Sequence, residues 1–296
     1  MSKILVFGAS GFSGSKFVEY VVENTDYEVI PITKDSNLNG GSFDISCYQD
    51  VENVLVKFQP DYIINFAGSY TNNFDIDYKV NFLGPKNILD AITNNSLNNI
   101  KILLVGSSGE YATNETTPII EESPLCPSSF YTLTKVFQTD LLKLYTSLYN
   151  INACLVRPSN LIGPNMSTKL FIGNFFKQLL DKTRTEKIIV KNESSYRDFI
   201  DIRDAVRGYF DLLKNGVSGE IYNLGSGNAT QIKEIIDFSI KIMGIPRNII
   251  EVIDTDNDSK VDYQLLNTSK IRSLVGFRAK FKVQDSIKFI INSMNR

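Results

Sequence analysis

Apolar residues in the first half of the chain fall in short runs, at 4–7, 27–32, 62–66, 100–105 and 153–156, interrupted only by Glu28, Asn65 and Lys101. Between them, over 12–23, 48–58, 79–94 and 129–149, apolar positions recur at helical spacing. A run without alternation has no polar face for water, so each is expected to be a strand covered on both sides. Such strands alternating with helices predict an α/β fold, a doubly wound parallel sheet with its ligand crevice at the carboxyl ends of the strands. Beyond Gly163 the rhythm changes. A helix is expected over 171–180, a strand over 188–190, and an extended run turning helical within 197–213. A strand over 220–224 and helices over 232–243 and 283–292 follow. No Pro/Ser-rich linker divides the halves, so a smaller C-terminal α/β lobe should pack closely on the sheet.

The first run opens directly into Gly8, Ser10, Gly11, Phe12 and Gly14, a G-x-x-G-x-x-G turn leading into a helix. Glycines there let the backbone approach a ligand, and the amides and dipole at a helix N-terminus suit a pyrophosphate. Glycine turns end many strands, but this one stands between the first strand and the first helix, which favours binding. The expected division is a dinucleotide-binding part over 1–163, with 197–227 returning to it in part, and a substrate-binding lobe over 164–296.

Composition removes several chemistries. The 296 residues carry a net charge of −2 and 22% charged residues, which gives no general attraction to nucleic acid or anionic lipid. There is no histidine, so Ser-His-Asp catalysis and most zinc sites are excluded, and no metal is expected. Cys47, Cys126 and Cys154 are too few and scattered for a disulfide framework. The opening residues go straight into a core strand and no apolar run reaches a membrane span, so a cytoplasmic protein is expected. Asn-x-Ser/Thr triplets such as that at Asn114 carry no weight in such a chain.

Proton transfer must then fall to Tyr, Lys, Asp, Glu, Cys or water. The fourth strand runs into Ser107 and Ser108, and downstream Tyr131 and Lys135 stand four residues apart on a helix. That spacing puts phenol and ammonium on one face, where the cation is expected to lower the tyrosine pKa toward working pH. On its own, Y-x-x-x-K arises often by chance, as a half-buried aromatic and a solvated lysine. With the glycine turn and the serine pair it points to acid–base chemistry on a carbonyl or alcohol.

Taken together, GASGFSG (8–14), FDI (43–45), NFAG (65–68), VNFLG (80–84), SSGEYA (107–112), YTLTK (131–135), RPSNLIGP (157–164), RDFIDIRDAV (197–206) and IYNLGSG (221–227) resemble the extended short-chain dehydrogenases/reductases, the nucleotide-sugar epimerase, dehydratase and reductase group. The resemblance covers essentially the whole chain and implies the doubly wound (Rossmann) architecture. It also implies Tyr131 as general acid, Lys135 on the nicotinamide ribose, and Ser107, with Ser108 beside it, on the sugar carbonyl. Asp44 and Ile45 would meet the adenine, Ala67 and Pro158 would line the cofactor crevice, and Asn160 and Arg197 would take the sugar-nucleotide diphosphate. Arg197 has an alternative as a surface ion pair with Asp198 or Asp201.

Departures from the family pattern narrow the activity. The 4,6-dehydratases of the group carry an acidic pair where this chain has Ser108 and Gly109, which argues against dehydration. NAD-bound epimerases show an acidic residue at the end of the second strand, here Thr33, followed by Lys34. A lysine there attracts a 2′-phosphate, so NADP(H) is favoured, with NAD(H) as the alternative. The wording is most similar to the GDP-4-keto-6-deoxymannose reductases, which implies reduction of a C4 keto group on a 6-deoxy or dideoxy sugar. A GDP sugar is favoured, with CDP or dTDP as alternatives, because an expected Arg is missing near 259–262, where Lys260 is the substitute. The alternative activity is a nucleotide-sugar epimerase or 4-dehydrogenase with tightly bound NAD. Helices 79–94 and 129–149 resemble the family's dimer-forming pair, so a homodimer is expected, with Leu141, Leu144 and Leu148 serving it or the core.

Overall fold

The computed structural model describes residues 1–36, 42–112, 118–181, 183–253 and 262–294; Asn114 and Lys260 lie outside them. In chain order the first half contains β1 (Lys3–Phe7), α1 (Phe12–Asn24), β2 (Glu28–Ile32), α2 (Tyr48–Phe58), β3 (Tyr62–Asn65), α3 (Phe74–Tyr78), α4 (Gly84–Asn94), β4 (Lys101–Val105), α5 (Phe130–Tyr149) and β5 (Ala153–Pro158). The second half contains β6 (Asn160–Ile162), α6 (Phe171–Leu180), β7 (Ile188–Lys191), β8 (Tyr196–Asp201), α7 (Ile202–Asn215), β9 (Ile221–Leu224), β10 (Ala229–Gln231), α8 (Ile232–Met243), β11 (Ile250–Ile253), β12 (Tyr263–Gln264), α9 (Ser269–Val275) and α10 (Val283–Met294).

The expected parallel sheet forms with strand order β2-β1-β3-β4-β5-β9. Strands β1, β3, β4, β5 and β9 are covered on both faces, while the edge strand β2 leaves Glu28 and Pro31 exposed. One core gathers Leu5, Ile63, Ile102 and Leu155 with α2, α4 and α5. The other gathers Ile4, Val6, Leu103 and Val156 with α1 and α7. Strand order reverses between β1 and β3, so the loops leaving their carboxyl ends part and open a crevice.

A third core joins α6, β7, β8, α8, β11 and α10. Strand β8 organises it, pairing antiparallel with β10 and parallel with β6 and β12. Thus 197–201 belongs to the small sheet, while α7 and β9 join the large one. The short strands β6, β10, β11 and β12 and the helix α9 were not expected from sequence. Two to four residues show no period, and these strands exist because a neighbour's backbone accepts them.

The helix expected over 79–94 begins earlier, at Phe74, where the Asn73 side chain caps it by accepting from the Ile76 amide. It passes through a π-helical turn, Lys79–Leu83, before α4. Pro85 has no N–H to return to the carbonyl four residues back, at Asn81, so the ladder loosens there. The wide turn carries the buried Asn81 inward. Among the described residues no helix is long and apolar enough to cross a membrane.

Candidate active site

The glycine turn is built by close packing. Gly8 has φ +73°, and a Cβ on it would lie 2.5 Å from the Ala67 amide nitrogen. A Cβ on Gly14 would lie 2.2 Å from the Gly8 carbonyl oxygen. The turn is tied to β2 by the Gly8 and Ala9 amides, which both donate to the Ile32 carbonyl. It is tied to β3 by the Phe66 amide, which donates to Phe7. No side chain caps α1 at Gly11, and the first amides of a helix have no partner within it. Ser10 and Gly11 are exposed and Phe12 is half-buried. A cradle that a Cβ would fill, beside an uncapped helix start, fits a dinucleotide pyrophosphate.

The other expected cofactor residues lie in the loops that follow β2 and β3 and at the end of β5. Lys34 is exposed in the turn that follows β2, where the Thr33 amide donates to the Ser36 hydroxyl. Ile45 is buried against α4, its carbonyl accepting from Asn87, while the exposed Asp44 carboxylate caps its own turn by accepting from Ser46. The Ala67 amide donates to the Asn65 side chain, and Pro158 is the buried last residue of β5.

Tyr131 and Lys135 sit in the first turns of α5, which starts on a Ser129 capping box. The half-buried Tyr131 ring meets Tyr70 edge-on at 5.0 Å between centroids. Its phenol lies near enough to the Ser107 hydroxyl for that group to favour the phenolate. Lys135, only 4% exposed, donates through Nζ to the Val105 carbonyl at 2.8 Å and to Gln138 Oε1 at 3.3 Å. The expectation that Lys135 lowers the Tyr131 pKa is corrected here. Burial pushes the phenol up to about 12; the nearby Ser107 opposes this, while Glu110, Tyr70 and Asp77 add to it. Burial instead pulls the Lys135 ammonium down to about 8, against the attraction of Glu110. The helical spacing aligned the two residues, but the main chain at the end of β4 captured the amine.

Several residues with no assigned role in the sequence reading build this centre. Asn81, in the π turn, accepts from the Ser69 amide and donates to Thr134 Oγ1, placing α5 against the β3 loop. Glu110 is fully buried and accepts from the Ser107 amide at 2.8 Å, Thr139 Oγ1 at 2.8 Å and Arg157 Nε at 2.9 Å. Burial raises its carboxyl, opposed first by Arg157. Every partner donates to it, which favours the ionised form against that burial. An arginine inside the apolar strand β5 was the sequence signal for such a pair, since a buried charge needs a partner.

Asn160 and Arg197 come together elsewhere, lining a cleft of about 550 Å³ with Leu170, Phe171, Ile189, Lys191 and Asp262. Asn160 donates to the Asp198 carbonyl. The Arg197 guanidinium pairs with Asp262, not with Asp198 or Asp201 as its alternative had it. Asp198 is buried and accepts from Ser226 and Gly227, and Asp201 pairs with Arg203. Ser108 is 5% exposed, and its carbonyl accepts from Gln264 of β12, which stands opposite Arg197 in the small sheet.

Comparisons with known proteins agree with this architecture. The chain is 25% identical over 299 residues to a GDP-6-deoxy-D-talose 4-dehydrogenase of Aggregatibacter actinomycetemcomitans, covering 99% of this chain and 96% of that one. It is 28% identical over 311 residues to a putative UDP-glucose 4-epimerase of Methanocaldococcus jannaschii, covering 98% of each. The solved structure of RMD from Pseudomonas aeruginosa complexed with NADPH superposes with a TM-score of 0.86 at 21% identity, covering 99% of this chain and 98% of that one. The profile of the NAD dependent epimerase/dehydratase family matches residues 4–225. With the glycine cradle, the parallel sheet and the Tyr-Lys helix, that match makes this chain an enzyme of the NAD dependent epimerase/dehydratase family, the extended short-chain dehydrogenases/reductases.

Proposed function

We propose that this enzyme reduces the C4 keto group of a nucleotide-linked 6-deoxy or dideoxy sugar to the alcohol, with NADPH. The observation that carries the reading is that Ser107 stands close enough to Tyr131 to act on its phenol, in a turn whose next two residues are Ser108 and Gly109. A serine and a protonated phenol can polarise and protonate a carbonyl oxygen, while the acidic pair that would eliminate water is absent. The GDP-6-deoxy-D-talose 4-dehydrogenase supports the reading, because oxidising that C4 alcohol is the reverse of the reduction proposed.

Gly8, Ser10, Gly11, Phe12 and Gly14 would hold the pyrophosphate, with Asp44, Ile45, Ala67 and Pro158 along the rest of the cofactor. Lys34 would meet the 2′-phosphate that distinguishes NADP(H) from NAD(H). The bound nicotinamide supplies the hydride. Ser107 orients the sugar carbonyl and Tyr131 gives its proton to the oxygen as that oxygen becomes a hydroxyl. A phenol pushed up to about 12 is fully protonated at neutral pH, which is the state a donor needs. Lys135 would hold the ribose and offset the phenolate left behind. Asn160 and Arg197 would take the diphosphate, Arg197 exchanging Asp262 for phosphate oxygens, with a GDP sugar favoured over CDP or dTDP.

A Tyr131→Phe enzyme should bind NADPH and sugar nucleotide yet lose nearly all turnover on a panel of 4-keto sugar nucleotides; near-normal turnover refutes the assignment. An epimerase with tightly held NAD would instead purify with nicotinamide bound and leave added NADPH unconsumed. The homodimer proposed with this reading would use Leu144 and Leu148, which are exposed on α5, whereas Leu141 is in the core. Sedimentation of a Leu148→Glu variant would read it.

A further inference from the structure

We propose that Glu110 is a positioning residue, which locks the Ser107 turn to the helix that carries Tyr131 and supplies the buried countercharge for Lys135. Three consecutive residues where the chain leaves β4 are held in place, the first by α5 and the next two by Glu110. The Val105 carbonyl accepts from Lys135 Nζ. Gly106 lies so close to Glu110 that a Cβ there would meet Oε1 at 2.6 Å. The Ser107 amide donates to that same oxygen at 2.8 Å. The second oxygen, Oε2, takes Thr139, one helical turn beyond Lys135 on the same face of α5. Glu110 is therefore the link by which the serine that meets the substrate and the helix that donates the proton keep one geometry. Arg157 closes the arrangement from β5, its Nε on Oε2 and its guanidinium 4.5 Å from the centre of the Tyr111 ring.

The charge has a second consequence. The groups that face Glu110 are Tyr131 and Lys135 from α5, Arg157 from β5 and Tyr111 from its own turn, with Glu121 acting on Tyr111. Among the described residues, Glu110 is the charged side chain that acts on Lys135, and it favours the ammonium. Without that anion a buried amine gives up its proton earlier. This inference deepens the proposed reductase mechanism, but the lysine's titration does not depend on which sugar is the substrate.

The experiment is therefore the titration of Lys135 in the cofactor-free enzyme, followed by the carbon resonance next to its amine. A Glu110→Gln variant should titrate lower by about one pH unit, the shift expected on losing a close opposite charge. Thr139→Val removes one hydrogen bond from the same carboxylate but not its charge, and should leave the titration in place. Equal movement in the two variants, or none in Glu110→Gln, overturns the proposal. Should Glu110→Gln fail to fold with Arg157 unpaired, the double variant Glu110→Leu/Arg157→Met removes both charges and must still lower the Lys135 titration. In turnover, Glu110→Gln should depress kcat at least tenfold with the KM for NADPH within twofold. A rise in KM at unchanged kcat also overturns it.

Discussion

Replacing Lys135 with Met separates stability from function at one position. The ammonium is buried, and its pKa falls from 10.5 to about 8. That gap of about 2.5 pH units corresponds to about 3 kcal/mol at about 1.36 kcal/mol per unit. The sign follows from where the proton is bound. Below about pH 8 the lysine is charged in both folded and unfolded chains, and folding bears the full cost of burying it. Between 8 and 10.5 the folded lysine is neutral while the unfolded one is still charged, so the cost fades with rising pH. Methionine has no such dependence. It also leaves the Val105 carbonyl and Gln138 Oε1 without their donor, an offset that does not change with pH. The prediction is thus a slope. Urea unfolding without cofactor should show wild type gaining about 2 kcal/mol on Lys135→Met between pH 7 and pH 9.5. Turnover of the variant should be nearly abolished throughout. Parallel stability curves would refute the burial argument, because they would mean that Lys135 titrates as it does in water.

Two other substitutions probe the crevice. Gly14→Ala places a methyl 2.2 Å from a backbone oxygen that cannot yield, so it should lower stability by about 2 kcal/mol or more and weaken NADPH binding; calorimetry would read both. Lys34→Glu, at an exposed position, should leave the melting temperature within about one degree and turn preference from NADPH toward NADH; an unchanged kcat/KM ratio for the two cofactors would discard the 2′-phosphate argument.

The strand and helix pattern of the first half was readable from the chain because each element buries a face on its own period. Unbroken apolar runs such as Ile102 to Leu104 can only be strands covered on both sides, and α5 carries its start signal at Ser129. The glycine turn was readable for the same local reason, since strand, turn and helix are contiguous. What the chain alone left undecided depends on residues far apart meeting. Lys135 could be placed on the face of Tyr131 by counting, yet where its amine went was decided by the Val105 carbonyl, thirty positions away. Glu110 and Arg157 lie 47 residues apart and became a pair only when β4 and β5 aligned. Arg197 chose Asp262 over its sequence neighbours because β8 and β12 pair beside it. Hydrophobic periodicity sets local structure at short range, whereas the charge state and aim of a buried group depend on the desolvation and partners that tertiary packing supplies.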